Sequence, residues 1–254
     1  MKTLRPVLTA VCLTVFIATA CLTAGELLEQ RQTEKDFNEL AQLVRADSVP
    51  SAPTAPRAAE VSEEPVPLPS TRDLTPLFAR NADCIGWLYI EGSTVDYAVM
   101  HTPQEPQKYL RLNFDGAYSH AGIPFLDGRC TLDSDHLIIY GHNMKNGTMF
   151  SDITRYQDAA YCTEHPVIEF ETARGLKRYA VFAVVSMQED DGWYQFLTAK
   201  DADEYTEKTA EIRSRALYET GLIPSGGQQL LTLSTCHGET ASDRLVIIAA
   251  ATAP

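Results

Sequence analysis

Residues 230–251, LLTLSTCHGETASDRLVIIAAA, set a thiol at Cys236 and a guanidinium at Arg244 on the facing ends of two apolar, β-rich runs. A nucleophilic thiol has to be exposed, and it needs a base or cation that favours the thiolate, because a free cysteine titrates only at about pH 8.5. Arg244 is the cation of that frame, and six histidines are available as the base. His142, in HLIIYGHNMKNGTMF, is carried by an apolar strand into a glycine-flanked loop, as a rigid scaffold presents a side chain to a cleft. His237 adjoins Cys236, but neighbours on a strand point to opposite faces, which makes it a weak candidate. His101, His120 and His165 lie in loops near Pro or Gly and read as surface residues, while His136 begins a strand. A cysteine at a strand end is more often packing than catalysis, so composition alone leaves Cys236 open. Cys12, Cys21, Cys84, Cys130 and Cys162 form no CxxC or His/Cys spacing that suggests zinc, and their pairing is not readable.

The elements that must position these groups are mostly strands. Eight short runs rich in Val, Ile and Tyr are punctuated by Gly, Pro and Asp: residues 86–90, 95–100, 122–127, 136–142, 166–172, 178–187, 228–236 and 244–251. Residues 173–175 read as a hairpin turn. Helix is expected at 151–156, which opens on Ser and Asp, and at 201–221, which opens on acids and ends on Gly. The pattern predicts a mainly β fold, an eight-stranded barrel with inserted helices rather than alternating βαβ units.

Three segments are expected. Lys2 and Arg5 precede PVLTAVCLTVFIATACLTAG, uncharged from Pro6 to Gly25, close to the roughly 20 residues that cross a bilayer. The basic end would stay in the cytoplasm, placing the rest outside the cell. Residues 1–25 therefore read as a signal anchor, with a cleaved signal peptide or a lipidated Cys21 as alternatives. Residues 26–70 read as a helical stalk and a Pro-rich linker, and residues 71–254 as the catalytic domain. The net charge of -13 and the lack of a basic stripe argue against nucleic acid as a partner.

The motifs LIIYGHNMKNGTMFSDI, TLSTC and DRLVIIA, in that order, resemble the sortase family, and class B within it. GWLYI, DYAVM and YLRLNFDGAYSHAGIPFLD extend the similarity over roughly residues 75–252. The resemblance implies an eight-stranded barrel with a long helix before the penultimate strand, where 201–221 lies. It implies a transpeptidase. Cys236 attacks the scissile carbonyl of a C-terminal sorting signal and forms a thioester; His142 moves the protons; Arg244 serves the oxyanion or the substrate backbone. Ser234, on the same strand face as Cys236, and Tyr194, in DDGWYQF, are expected to contact substrate. The implied partners are surface proteins carrying an Asn-Pro-x-Thr-x-like signal and an amine acceptor, either a peptidoglycan precursor or a pilin lysine. A cell-wall cysteine amidase is a further alternative, although its cysteine normally opens a helix. No metal and no cofactor are expected. The short loop CHGETASDR departs from the family pattern and bears on the groove wall.

Overall fold

All eight apolar runs become strands in the computed structural model, which describes residues 4–45 and 72–252. The strands are β1 (Cys84–Tyr89), β2 (Asp96–Met100), β3 (Phe125–Leu126), β4 (His136–Tyr140), β5 (Val167–Thr172), β6 (Gly175–Gln188), β7 (Leu230–Cys236) and β8 (Asp243–Ala251). They close into a barrel in the order β1-β2-β3-β4-β7-β8-β6-β5. Closure leaves no unpaired sheet edge. Most neighbours are antiparallel; β2 with β3 and β4 with β7 are parallel.

Chain contacts divide the protein into Met1–Glu39 and Leu40–Pro254. The first unit is the greater part of helix α1 (Leu4–Val44), which is long and apolar enough to cross a membrane. Its threonines fold their hydroxyls back onto the helix, Thr19 Oγ1 donating to Val15 O at 3.0 Å and Thr23 Oγ1 to Thr19 O at 3.1 Å. Such internal pairing removes the cost of a polar group in apolar surroundings. In the second unit the end of α1 is packed, with Leu40 and Val44 buried and Val44 O accepting from Asp73 N at 3.1 Å. The expected Pro-rich linker lies outside the described residues.

Two expected elements are shorter than the pattern suggested. The run 122–127 pairs only at Phe125–Leu126, because Gly122 sits in the left-handed region at φ 59° and Pro124 has no N–H to donate. The helix expected over 201–221 is α4 (Ala202–Ser214), following α2 (Thr75–Arg80) and α3 (Ala159–Glu164). Tertiary bonds end it early. Arg215 pairs with Asp191 at 2.5 Å, and Leu217 N donates to Val184 O at 2.8 Å, so the chain past Ser214 runs along β6 instead. The expected helix at 151–156 is a 3-10 turn, Asp152–Gln157.

One apolar cluster explains why the site stays put. Ile138 of β4, Leu230 of β7, and Val246 and Ile248 of β8 pack with Trp193 and Phe196 of the 192–196 segment and with Tyr205 and Ile212 of α4. His136 sits inside this layer, fully buried, against Trp193 with ring centroids 4.8 Å apart. Its Nδ1 is 2.5 Å from Phe196 O and its Nε2 is 2.7 Å from Thr232 Oγ1. A carbonyl only accepts, so Nδ1 carries the proton and Nε2 accepts from the Thr232 hydroxyl. That hydroxyl in turn accepts from Trp193 Nε1 at 3.1 Å. The neutral imidazole satisfies every partner, and burial pushes its pKa down from 6.5 to about 4.

A histidine held neutral by the fold makes its stability fall in acid. The folded state binds fewer protons than the unfolded chain between pH 6.5 and about 4, so this contribution is complete above 6.5 and is lost as pH falls toward 4. The full shift is on the order of 3 kcal/mol. The stability advantage of wild type over His136→Gln, measured by denaturant unfolding, is expected to shrink by about that amount between pH 7 and pH 4. A pH-independent difference would exclude His136 as a source of acid sensitivity.

Candidate active site

Strand pairing brings three ends together. Cys236, the last residue of β7, is in register with Arg244 of β8, so the two side chains share a face across one antiparallel step. On the other flank β4 runs parallel to β7, with Tyr140 beside Ser234. The contact continues one residue further, Gly141 N donating to Ser234 O at 3.2 Å and Thr235 Oγ1 to Gly141 O at 2.7 Å. His142 follows, where the chain leaves the barrel. Gly141 is required there, because a Cβ would lie 2.6 Å from the Phe150 ring.

The loop after His142 is closed on itself and tied to the thiol's strand. Phe150 N donates to His142 O at 2.8 Å, and Asn143 bridges to Met149. Met149 holds a left-handed φ of 58°, maintained by complete burial and by its N–H bond to the Tyr97 hydroxyl at 3.0 Å. Asn143 Nδ2 donates to the Cys236 carbonyl at 3.0 Å. This bond couples the histidine loop directly to the cysteine.

His142, Cys236, Arg244, Ser234 and Tyr194 all line one groove of about 540 Å³. The Cys236 side chain is exposed, whereas Cys84, Cys130 and Cys162 are buried, and none of the six cysteines is in a disulfide. Burial pushes the Cys84 thiol up to about 12 and the Cys130 thiol up to about 11, well away from thiolate chemistry. The His142 Nε2 is 2.9 Å from Leu110 O, which fixes the proton on Nε2 and leaves Nδ1 as the basic nitrogen. Burial is the main cause that lowers the His142 pKa; the Leu110 carbonyl opposes it, while Arg111 and His120 lower it further. The Arg244 guanidinium is ion-paired to Glu189 and donates to Ala241 O at 2.7 Å and Asp243 O at 3.0 Å. Those bonds hold its planar fork at the groove mouth.

The wall beyond the thiol is aromatic. Tyr194 and Ser234 are both buried and bonded to each other, hydroxyl to hydroxyl at 2.8 Å, so Ser234 is engaged with Tyr194 rather than with His142. Trp193 turns inward to Thr232, while Tyr194 faces the groove and stacks on Tyr140 at 6.2 Å. His237 points elsewhere, to Gln157 at 2.9 Å. His120 is exposed beside Arg111, but His101 and His165 are not simple surface residues. His101 is half-buried, and the His165 ring packs against Gly92 with Nδ1 2.6 Å from Glu91 O. Asp127, Arg129, Tyr140 and Glu189 also line the groove and had no assigned role in the sequence. Asp127 and Tyr140 lay within recognised strands and Glu189 in an acidic run, and neither pattern tells which side chain turns toward a cleft.

The Sortase domain family matches residues 88–252. Sortase B of Listeria monocytogenes is 31% identical over 238 residues, covering 91% of this chain and 89% of that protein. The chain belongs to the sortase family. Within it the chain is of class B, a cysteine transpeptidase. Sortase B of Staphylococcus aureus is 26% identical over 174 residues, covering 66% of this chain and 70% of its own. The solved structure of sortase B from B. anthracis superimposes with a TM-score of 0.73, covering 90% of this chain and all of that one, at 23% identity, a likeness of fold.

In this sortase the His142 imidazole is expected to titrate below pH 6.5 when followed by NMR of its ring protons. Arg111→Gln removes a cation that disfavours protonation and should move the midpoint upward; an unchanged midpoint would show that Arg111 does not act on the ring. Gly141→Ala has to displace the Phe150 ring and thereby His142, and a loss of about 100-fold in kcat/KM is expected, read by peptide turnover.

Proposed function

We propose that this sortase is held in the membrane by α1 and acts outside the cell on surface proteins that carry a C-terminal sorting signal, joining them to a peptidoglycan amine. The observation that carries the reading is the convergence of Cys236, His142 and Arg244 on one groove through the pairing of β4, β7 and β8.

The chemistry follows from those three groups. His142 Nδ1 takes the Cys236 thiol proton as the sulfur attacks the scissile carbonyl carbon, while the Arg244 guanidinium donates to the oxygen on which negative charge develops. The tetrahedral species collapses, the C–N bond breaks, and the leaving amine takes a proton from His142. A thioester remains on Cys236. An incoming amine then attacks it, gives its proton to His142, and displaces the thiolate as the C–S bond breaks. Arg244 suits its role because it stays charged at any working pH and offers a planar set of donors. His142 suits its own because one ring nitrogen is anchored to Leu110 O and the other is left to exchange a proton.

The aromatic wall of Tyr194 and Tyr140, with Ser234 behind it, is where the sorting signal would lie, and an Asn-Pro-x-Thr-x-like pentapeptide is the substrate we infer. A Staphylococcus aureus sortase B has been solved as a substrate complex and another sortase B in complex with triglycine, which supports a peptide donor and an amine acceptor for this site. The apolar stretch of α1 that follows Lys2 and Arg5 supports a single-pass anchor with the enzyme on the outer face.

The test uses the full chain in detergent with a panel of sorting-signal peptides and triglycine, read by intact mass. Wild type is expected to gain an acyl adduct that triglycine discharges, and Cys236→Ala to gain none. His142→Ala and Arg244→Ala should slow adduct formation by at least about 100-fold. An adduct that persists on Cys236→Ala, or a thioester that water but no amine discharges, would sink the proposal.

A further inference from the structure

Arg129 stands in the turn between β3 and β4 and makes bonds in two directions. Toward its own turn it clasps Asp127: the Arg129 backbone N–H and Nε both donate to Asp127 Oδ1 at 2.9 Å, and Nη2 donates to Oδ2 at 2.8 Å. Toward the 192–196 segment the same Nη2 donates to the Tyr194 carbonyl at 2.8 Å, and Nη1 to Gln195 Oε1 at 2.8 Å. The two partners lie 65 and 66 residues away in the chain.

Asp127 is nearly buried, and its Oδ2 also accepts from the Tyr140 hydroxyl at 2.9 Å. Tyr140 stacks on Tyr194, whose hydroxyl meets Ser234 two residues before Cys236. A continuous set of contacts therefore runs from Arg129 to the strand that carries the thiol. The guanidinium is partly exposed to the groove, but most of its donors are engaged with protein, which suits an internal tie better than a ligand contact. Lysine would not reproduce it, since one ammonium cannot clasp a carboxylate side-on and also reach the Tyr194 carbonyl.

We propose that Arg129 is a positioning residue for the acyl donor: by tying Asp127 to the backbone of Tyr194 it holds the groove wall of Tyr140 and Tyr194 in place, and so sets where the sorting signal rests relative to Cys236. The inference rests on the functional reading above and names a determinant of its substrate binding. The other anchors of the 192–196 segment are the Tyr194 hydroxyl bond to Ser234 and, deeper, the bonds to His136 and Thr232. Loss of Arg129 should therefore loosen the groove side of that segment without unpacking the barrel.

Arg129→Ala and Arg129→Lys, in the full chain, test this by three readings. Amide exchange over residues 191–197 is expected to rise in both variants while residues 230–236 stay protected. KM for the sorting peptide should rise about tenfold with kcat within about twofold, because the wall is displaced and the reacting groups are not. Alkylation of Cys236 by iodoacetamide, located by peptide mass, should keep its wild-type rate. Unchanged exchange over 191–197, a normal KM, or full rescue by lysine would overturn the proposal, as would a fall in kcat with KM unchanged. If wild type turns over no peptide, the functional reading fails, while exchange and alkylation still decide whether the tie exists.

Discussion

The parallel pairing of β4 with β7, inside a barrel whose other contacts are mostly antiparallel, is the constraint on which the site depends. Parallel strands end at the same edge, so the C-terminal ends of β4 and β7 deliver His142 and Cys236 together. Because β8 returns antiparallel to β7, its first residues arrive there as well, with Arg244 opposite Cys236. A slip of one residue in either ladder would turn the thiol or the guanidinium to the opposite face. The register is protected by burial: every residue of β7 except Cys236 is buried, so sliding the strand would expose a full apolar set. Parallel neighbours also require a long crossover, and the chain from Gly141 to Gln229 supplies it while contributing β5, β6, α4 and the wall at Tyr194.

Charges in the groove are paired rather than loose. Arg244 meets Glu189 beyond the end of β6, and Arg129 meets Asp127 in its own turn, so each guanidinium is held by a carboxylate. Burial, with Arg111 and His120 nearby, lowers the pKa of the His142 imidazole. Among the four cysteines after Arg72, selectivity comes from burial as well. Three thiols lie in the core, where forming an anion is costly, and Cys236 stands at the solvent edge.

The parts of this fold that were legible in the sequence are those with local causes. Short apolar runs rich in Val, Ile and Tyr marked every strand, and Gly175, at φ 104°, closes the expected hairpin between β5 and β6. Errors arose where distant contacts overrule local pattern. The helix expected to 221 stops at Ser214 because Arg215 and Leu217 find partners on other elements. His165 looked like a loop residue, yet its ring packs against Gly92, far away in the chain.

The site divides along the same line. Cys236 and Arg244 belong to one short hairpin, so their juxtaposition follows from local geometry, and the sequence by itself determined it. His142 could be named from its strand and glycine, but its place beside Cys236 depends on the β4–β7 pairing. The proton on Nε2, the Asn143 bond to the Cys236 carbonyl and the tie from Arg129 to Tyr194 were decided by the tertiary structure alone. Side-chain hydrogen bonds between distant segments have no period and no spacing. They depend on angles and distances of a few tenths of an ångström, which exist only once the barrel has closed.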